Sequence, residues 1–124
     1  MTKLSENFSR SEFKCNCGEC SYDTVDSELV RVLQDVRDKY ACGVTVTSGN
    51  RCPEYNKEVG GAQKTDESMG SQHMYGRAAD IQVSGISPHE IAEYLNWKYP
   101  DKFGIGDYKT FTHIDTRSGN KARW

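Results

Sequence analysis

The ten residues from Ser71 to Asp80 constrain the fold more than any other part of the chain. They place an imidazole, His73, and a carboxylate, Asp80, in one short segment that is able to bend. Gly76 and the two alanines that follow it carry little side-chain bulk, so the chain can turn at Gly76 and bring both groups to one point. Polar and apolar residues alternate after this turn, which indicates a strand that Asp80 opens. The segment therefore predicts half of a metal site.

A third ligand has to come from elsewhere, because a catalytic zinc ion usually takes three protein ligands and leaves a fourth position for water. One of the other histidines, His113, lies in the alternating run 111–117 and shares one face with Asp115. Charged and imidazole groups directed inward are costly to bury unless they are paired or bound to metal. His113 is therefore predicted to join His73 and Asp80.

These residues resemble a known family. The pattern Ser-x-His-x-x-Gly-x-Ala-x-Asp at 71–80, followed by His-x-Asp at 113–115, is similar to the zinc D-Ala-D-Ala carboxypeptidases and their phage peptidoglycan endopeptidase relatives. The same fold group includes the hedgehog signalling domain. The resemblance covers roughly residues 44 to 117, including the Ser-Gly-Asn-Arg segment that ends at Arg51. Residues 7–13 resemble the start of the short single-domain phage versions.

The resemblance implies a zinc peptidase that cuts peptide bonds in peptidoglycan stem peptides, as a D-Ala-D-Ala carboxypeptidase or as an endopeptidase in cell-wall lysis. His73, Asp80 and His113 would hold Zn²⁺. It also implies that Arg51, just beyond a predicted strand, polarises the scissile carbonyl or holds substrate. We further predict that Ser71 and Gln72 contact the substrate.

One departure from the family pattern concerns the general base. Many relatives carry an acidic residue three positions before the last histidine ligand, where this chain has Thr110, which cannot act as a base at neutral pH. Others carry a polar group five positions before that ligand, which here is Tyr108. We predict that Tyr108 stabilises a developing oxyanion and that Asp115 either acts as the base or supports a ligand. Alternation directs Asp107 to the opposite face.

Composition excludes several classes of function. The 124 residues, 35% of them apolar, are expected to form one domain over residues 1–124 that includes the cysteine-rich segment 13–20. A net charge of -2 argues against nucleic-acid binding, and no apolar run reaches the roughly 18 residues of a membrane span. The first residues lack the apolar centre of a signal peptide. We expect a monomer made in a cytoplasm, acting on the cell wall after release or within a virion.

The chain has five cysteines, three of which fall in the run from Cys15 through Cys17 to Cys20. The spacing differs from that of a zinc ribbon, and the fourth ligand of a metal site is not evident from the sequence. Three interpretations stay open: structural thiols, a structural metal site, and disulfides formed after release.

Periodicity predicts a long amphipathic helix near the start of the chain. Apolar residues recur at helical spacing over residues 24–40. Asp26 or Ser27 is the expected N-cap, and Gly43 is the expected end of the helix.

Two further helices are predicted after it. The first, at 53–59, begins with a proline in its first turn. The second, at 88–99, is expected to place His89 on the surface and to bury an apolar face that includes Trp97.

Strands are predicted at 44–48, 80–84, 102–106 and 111–117. A polar loop at 62–70 is expected beside the metal site, and the basic segment 118–124 is expected to be loosely held, with no role for Trp124. Together these elements predict an α+β fold with a small central antiparallel sheet and helices packed on one side.

Three functions from different classes fit these observations. The first is the zinc peptidase of cell-wall stem peptides. The second is a zinc-containing binding module without catalysis, which the missing acid at Thr110 favours. The third is a small α+β domain in which His73, Asp80 and His113 are ordinary polar residues.

Overall fold

Helices and strands alternate along most of the chain. The computed structural model describes residues 2–66 and 68–124; Glu67, part of the predicted loop 62–70, lies outside the described residues. The elements, in chain order, are α1 (Ser27–Tyr40), β1 (Val44–Ser48), α2 (Pro53–Glu58), β2 (Ala78–Val83), α3 (Pro88–Lys98), β3 (Gly104–Asp107), β4 (Thr112–Asp115) and β5 (Ala122–Arg123), with 3₁₀ helices at Arg10–Phe13 and Gln72–Tyr75. Among the described residues, no helix is long and apolar enough to span a bilayer.

The strands form one sheet in the order β1-β2-β4-β3-β5. The first four pair antiparallel with their neighbours, whereas β5 lies parallel to β3. The α+β class is therefore confirmed, but the sheet is mixed and not purely antiparallel as expected. The difference arises because the chain returns after β4 and adds β5 alongside β3.

The two faces of the sheet differ in character because side chains alternate along each strand. Ile81 on β2 and Ile114 on β4 are buried in the apolar core, where they join Leu33 of α1 and Leu95 of α3. The residues between them on the same strands, which include Asp80, lie on the opposite face. One face of the sheet thus carries the core and the other carries polar groups.

Helix α1 begins after Asp26, one of the two caps expected. Its apolar stripe is buried, and Leu29, Leu33 and Val36 are fully inaccessible. The helix ends earlier than expected, at Ala41 instead of Gly43. Ala41 adopts the left-handed conformation with φ 53°, and its N–H donates to the Arg37 carbonyl.

Two expectations about α3 differ in outcome. Ser87 accepts a hydrogen bond from the backbone N–H of Glu90, which is the expected helix start, and His89 is exposed. Trp97, however, is 76% exposed, so its predicted burial is wrong. Ile91 and Leu95 lie on the buried stripe, and Trp97 falls outside it.

The end of the segment 118–124 is not loosely held, contrary to expectation. The N–H of Trp124 donates to the Ile105 carbonyl at 3.1 Å, and Asp107 N–H donates to the Trp124 carbonyl at 2.7 Å. The guanidinium of Arg123 donates to several backbone carbonyls, including that of Phe103 at 2.8 Å. These bonds fix residues 122–124 along β3.

Candidate metal centre

A tight turn places His73. Ser71 caps the second 3₁₀ helix by accepting a hydrogen bond from His73 N–H, and Gly76 ends it with φ 69°. A Cβ atom added to Gly76 would lie 2.5 Å from the Thr24 carbonyl oxygen. Because glycine alone fits that space and conformation, the chain can pass directly from the 3₁₀ helix into β2.

Asp80 and His113 face each other across neighbouring strands. They are directly paired residues of β2 and β4. His113 Nδ1 lies 3.0 Å from Asp80 Oδ1, and His73 Nε2 lies 3.3 Å from the same oxygen. The three side chains are buried. Sheet register and the Gly76 turn thus bring one carboxylate oxygen and two imidazole nitrogens to one point.

Each of the two histidines, His73 and His113, has a hydrogen-bond partner at the ring nitrogen that points away from the other ligands. His73 Nδ1 lies 2.8 Å from the Gly49 carbonyl oxygen, which can only accept, so Nδ1 carries the proton. His113 lies between two carboxylates: its Nε2 is 2.7 Å from Asp115 Oδ2 and its Nδ1 is 3.0 Å from Asp80 Oδ1. A neutral ring that donates its Nε2 proton to Asp115 leaves Nδ1 free. In the neutral rings, Nε2 of His73 and Nδ1 of His113 are then unprotonated and directed at Asp80. These are the lone pairs that a metal ion requires.

Charges around these groups reinforce one another. Burial alone would raise the pKa of Asp80, but hydrogen bonds and positive charge from His113 and His73 outweigh it and hold that pKa below its usual range. Burial would lower the pKa of His113, but Asp115 and Asp80 outweigh it and raise that pKa. The site therefore favours a carboxylate and stabilises positive charge beside it.

The donor set fits a zinc ion. Donors about 2.0–2.1 Å from a tetrahedral zinc lie about 3.3 Å from one another, close to the 3.3 Å and 3.0 Å separations found here. All three ligand atoms lie within 4.8 Å of one another. Two imidazoles and one carboxylate are a ligand set that zinc enzymes use with a fourth position open.

Arg51 lies beside this donor set, after the end of β1. Its guanidinium is 3.5 Å from Asp80 Oδ2, and Nε donates to Ser48 Oγ. Asn56, which is fully buried, accepts from the same guanidinium at 3.3 Å. Arg51 N–H also donates to the His73 carbonyl at 2.9 Å. The guanidinium is thus held at the edge of the site by side chains from three elements.

A cleft of about 500 Å³ opens onto these groups. Its aromatic wall consists of Tyr108 and Phe111, which stack with centroids 4.4 Å apart, and Trp124. Trp124 Nε1 donates to the Tyr108 hydroxyl at 2.6 Å, and its ring lies 5.0 Å from that of His113. No sequence pattern indicated a role for Trp124. Trp124 and Tyr108 are sixteen residues apart, so no short sequence pattern indicates their contact. Strand β5 has only two residues, which is too few to show an alternation of polar and apolar side chains.

The predicted substrate contacts also line the cleft. Ser71 and Gln72 both face it. The Ser71 hydroxyl caps the 3₁₀ helix, whereas Gln72 Oε1 is buried without a hydrogen-bond partner among the described residues. Gln72 therefore offers an acceptor that the described part of the protein does not use.

Asp107 lies away from the cleft. Its carboxylate pairs with His89 on α3, in agreement with the alternation from Tyr108. Thr110 is exposed, and its carbonyl accepts from Gln82. Asp80 and Asp115 are the carboxylates among the described residues that line the cleft.

A second cluster of possible metal ligands includes Cys52, the residue that follows Arg51. Cys15, Cys17 and Cys20, for which a structural metal site was one of three open interpretations, come together there with Cys52. All five cysteines of the chain are free thiols in the structure. Cys52 lies more than thirty residues after the other three in the sequence, so local spacing does not indicate that it joins them.

Comparison with known proteins agrees with the geometry of the cleft. Curated proteins give no match to the chain. The family model described as Peptidase M15 matches residues 6–115, a range that includes both histidines, Asp80 and Arg51. The chain therefore belongs to the Peptidase M15 family of metal-dependent peptidases.

Proposed function

We propose that the protein is a zinc peptidase that hydrolyses peptide bonds in peptidoglycan stem peptides. The observation that carries this proposal is the convergence of His73 Nε2, His113 Nδ1 and Asp80 Oδ1 at the base of an open cleft. We further propose that it acts as a monomer on the cell wall, after release or within a virion.

His73, Asp80 and His113 would hold the zinc ion. A bound zinc ion lowers the pKa of water to about 7 and polarises a carbonyl. The Gly49 carbonyl and the Asp115 carboxylate orient the two imidazoles, so that His73 Nε2 and His113 Nδ1 would face the ion. The chain thus supplies a preorganised donor set that needs no rearrangement of either ring.

Arg51 is proposed to stabilise charge on the scissile carbonyl or to hold a substrate carboxylate. A guanidinium stays charged and offers donors in a rigid fork. The Nε–H donates to Ser48, and one terminal nitrogen donates to Asn56. The other terminal nitrogen lies 3.5 Å from the Asp80 carboxylate. Arg51 also lines the cleft, so a substrate bound there would lie beside its guanidinium.

Tyr108 is proposed to donate a hydrogen bond to the developing oxyanion. Its hydroxyl accepts the indole N–H of Trp124, so the hydroxyl proton is free to be donated elsewhere. Gln72 and Ser71, which line the cleft, are proposed to bind the backbone of the stem peptide.

Asp115 is proposed to orient His113 and not to act as the general base. Its side chain is fully buried, and it accepts hydrogen bonds from Gly104 N–H, Arg117 and His113. Arg117 and His113 outweigh the effect of burial and hold the pKa of Asp115 below its usual range. A carboxylate with these partners is a poor proton acceptor.

A zinc-containing binding module without catalysis is the second candidate. The observation that favours it is the exposed Thr110 at the position where many relatives carry an acid. Purified peptidoglycans of different stem types would be incubated with the protein and the released fragments read by mass spectrometry. Cleavage by the wild type but not by His113→Ala supports the peptidase. Binding of zinc and cell wall without cleavage of any stem type supports the module.

A further inference from the structure

We propose that Cys15, Cys17, Cys20 and Cys52 bind one structural zinc ion, separate from the ion proposed for the cleft, and that this ion fastens the Arg51 segment to the first part of the chain. The four Sγ atoms lie within 4.8 Å of one another. They come from two regions: a loop after the first 3₁₀ helix and the residue that precedes α2.

The spacing of the sulfur atoms fits tetrahedral coordination. Thiolates about 2.3 Å from a zinc ion lie about 3.8 Å from one another, whereas bonded sulfurs in a disulfide are about 2.05 Å apart. Cys15 Sγ and Cys52 Sγ are 3.8 Å apart, and Cys17 Sγ and Cys20 Sγ are 3.3 Å apart. Four thiolates fill the coordination sphere, which is typical of a structural zinc site and leaves no position for water.

Backbone donors around the cluster support thiolate ligands. Glu19 N–H donates to Cys17 Sγ, Cys52 N–H donates to Cys15 Sγ, and Tyr55 N–H donates to Cys52 Sγ, each at 3.4 Å. Hydrogen bonds to ligand atoms orient them and stabilise their charge. Binding zinc would release the thiol protons and leave the cluster with a net negative charge, which these N–H groups would partly offset.

The cluster connects two segments that already touch. Asn50 N–H donates to the Phe13 carbonyl at 2.8 Å, and Asn16 Nδ2 donates to the Thr47 carbonyl at 2.9 Å. Cys52 directly follows Arg51, whose own N–H donates to the His73 carbonyl. An ion held by Cys52 and the three earlier cysteines would therefore fix the segment that carries Arg51 and the Gly49 carbonyl.

The fifth cysteine provides a matched control. Cys42 lies outside the cluster, and its Sγ donates to the Tyr40 carbonyl at 3.2 Å. Cys52→Ser is the informative variant because Cys52 also caps α2 through Tyr55 N–H. Serine is a preferred N-cap, so this variant preserves the cap while removing a zinc ligand.

The test measures metal content in the full chain. Wild type and Cys42→Ser should each hold two zinc equivalents per chain. Cys52→Ser should hold one and melt at a lower temperature. The double variant His73→Ala/His113→Ala should also hold one, and this result does not depend on whether the protein is a peptidase. Two equivalents in Cys52→Ser, or none in the double variant, would overturn the proposal.

A measurement on the wild type covers the case in which Cys52→Ser does not fold. Apo protein, with its thiols kept reduced, would be loaded with Co²⁺. Thiolate-to-cobalt charge-transfer bands and intense tetrahedral d–d bands are expected, and they should persist in the double histidine variant. A cobalt spectrum without thiolate bands would show that the cysteines do not coordinate and would overturn the proposal.

Discussion

His113 donates its Nε2 proton to Asp115 across 2.7 Å, and the same carboxylate accepts two hydrogen bonds from the guanidinium of Arg117. Asp115 therefore orients the His113 imidazole, and Arg117 in turn orients Asp115. Asp115→Asn should weaken zinc binding about 10- to 100-fold, because partners of this kind orient a ligand and raise its basicity. Competition with a chromophoric chelator measures the affinity.

Asp107→Asn is the control for this change. Asp107 is a carboxylate on the neighbouring strand, but it pairs with His89 and lies outside the cleft. The Asp107→Asn variant should therefore bind zinc with the affinity of the wild type. Equal affinities for the wild type and Asp115→Asn would contradict the orienting role.

Arg51→Ala should retain zinc and fold but hydrolyse peptidoglycan about 10²- to 10³-fold more slowly, the typical cost of losing one preorganised electrostatic contact. Arg51→Lys should recover only part of the rate, because an ammonium cannot reproduce the guanidinium fork. Arg31→Ala, on the exposed surface of α1, serves as the control. Hydrolysis at the parent rate by Arg51→Ala would remove this residue from the mechanism.

Trp124→Ala should reduce kcat/KM about 2- to 10-fold, corresponding to the 0.5–1.5 kcal/mol of an aromatic contact. The indole lies against His113 and supports the Tyr108 hydroxyl. Zinc content should not change. Trp97→Ala is the matched control, since Trp97 is 76% exposed on α3. If both tryptophan variants keep the parent kcat/KM, the aromatic wall does not contact substrate.

The pKa of His89 should lie above its ordinary value of 6.5, because Asp107 accepts a hydrogen bond from the ring and Asp107 and Glu93 are negatively charged. A raised pKa in the folded state stabilises the fold fully below about pH 6.5, and this contribution is lost as the pH rises through the folded pKa. Titration of the ring proton shifts by NMR measures it. Asp107→Asn should move the midpoint back towards 6.5; a wild-type midpoint at or below 6.5 would refute the assignment.

Gly76→Ala should destabilise the fold more than Gly85→Ala. Both glycines have positive φ, at 69° and 77°, so each alanine costs about 1–2 kcal/mol for the left-handed conformation. A Cβ at Gly76 would also lie 2.5 Å from the Thr24 carbonyl oxygen, whereas one at Gly85 meets nothing within 4 Å. The shift that this clash requires adds about 1–3 kcal/mol. Urea unfolding of both variants gives the difference, and equal losses would argue against the clash.

Local patterns in the sequence predicted the parts of the protein that depend on near neighbours. The Gly76 turn and the alternation around Asp80 and His113 are properties of short segments, and the family resemblance that these residues carry is confirmed. The α+β class followed from the order of helical and alternating segments, and it is also confirmed.

Features that depend on contacts between distant segments were missed. Cys52 joins the other cysteines only because the segment after β1 packs against the first part of the chain. Trp124 reaches the cleft through a parallel pairing of two residues, too short for any pattern. Trp97 was expected to be buried because it is apolar and lies in this helix, but it falls outside the stripe of Ile91 and Leu95 and is exposed.

The pairing of β2 with β4 would tie uptake of the proposed zinc ion to the completion of folding. Asp80 faces His113 in the register that also pairs Ala79 with Ile114 in the core. A slip of one residue would exchange the two faces, so the apolar side chains would enter the cleft and the ligands would enter the core. A chain with a mispaired sheet cannot assemble the ligand set. Occupancy of this site should thus serve as a chemical marker that distinguishes correctly folded molecules from compact misfolded ones in the same preparation.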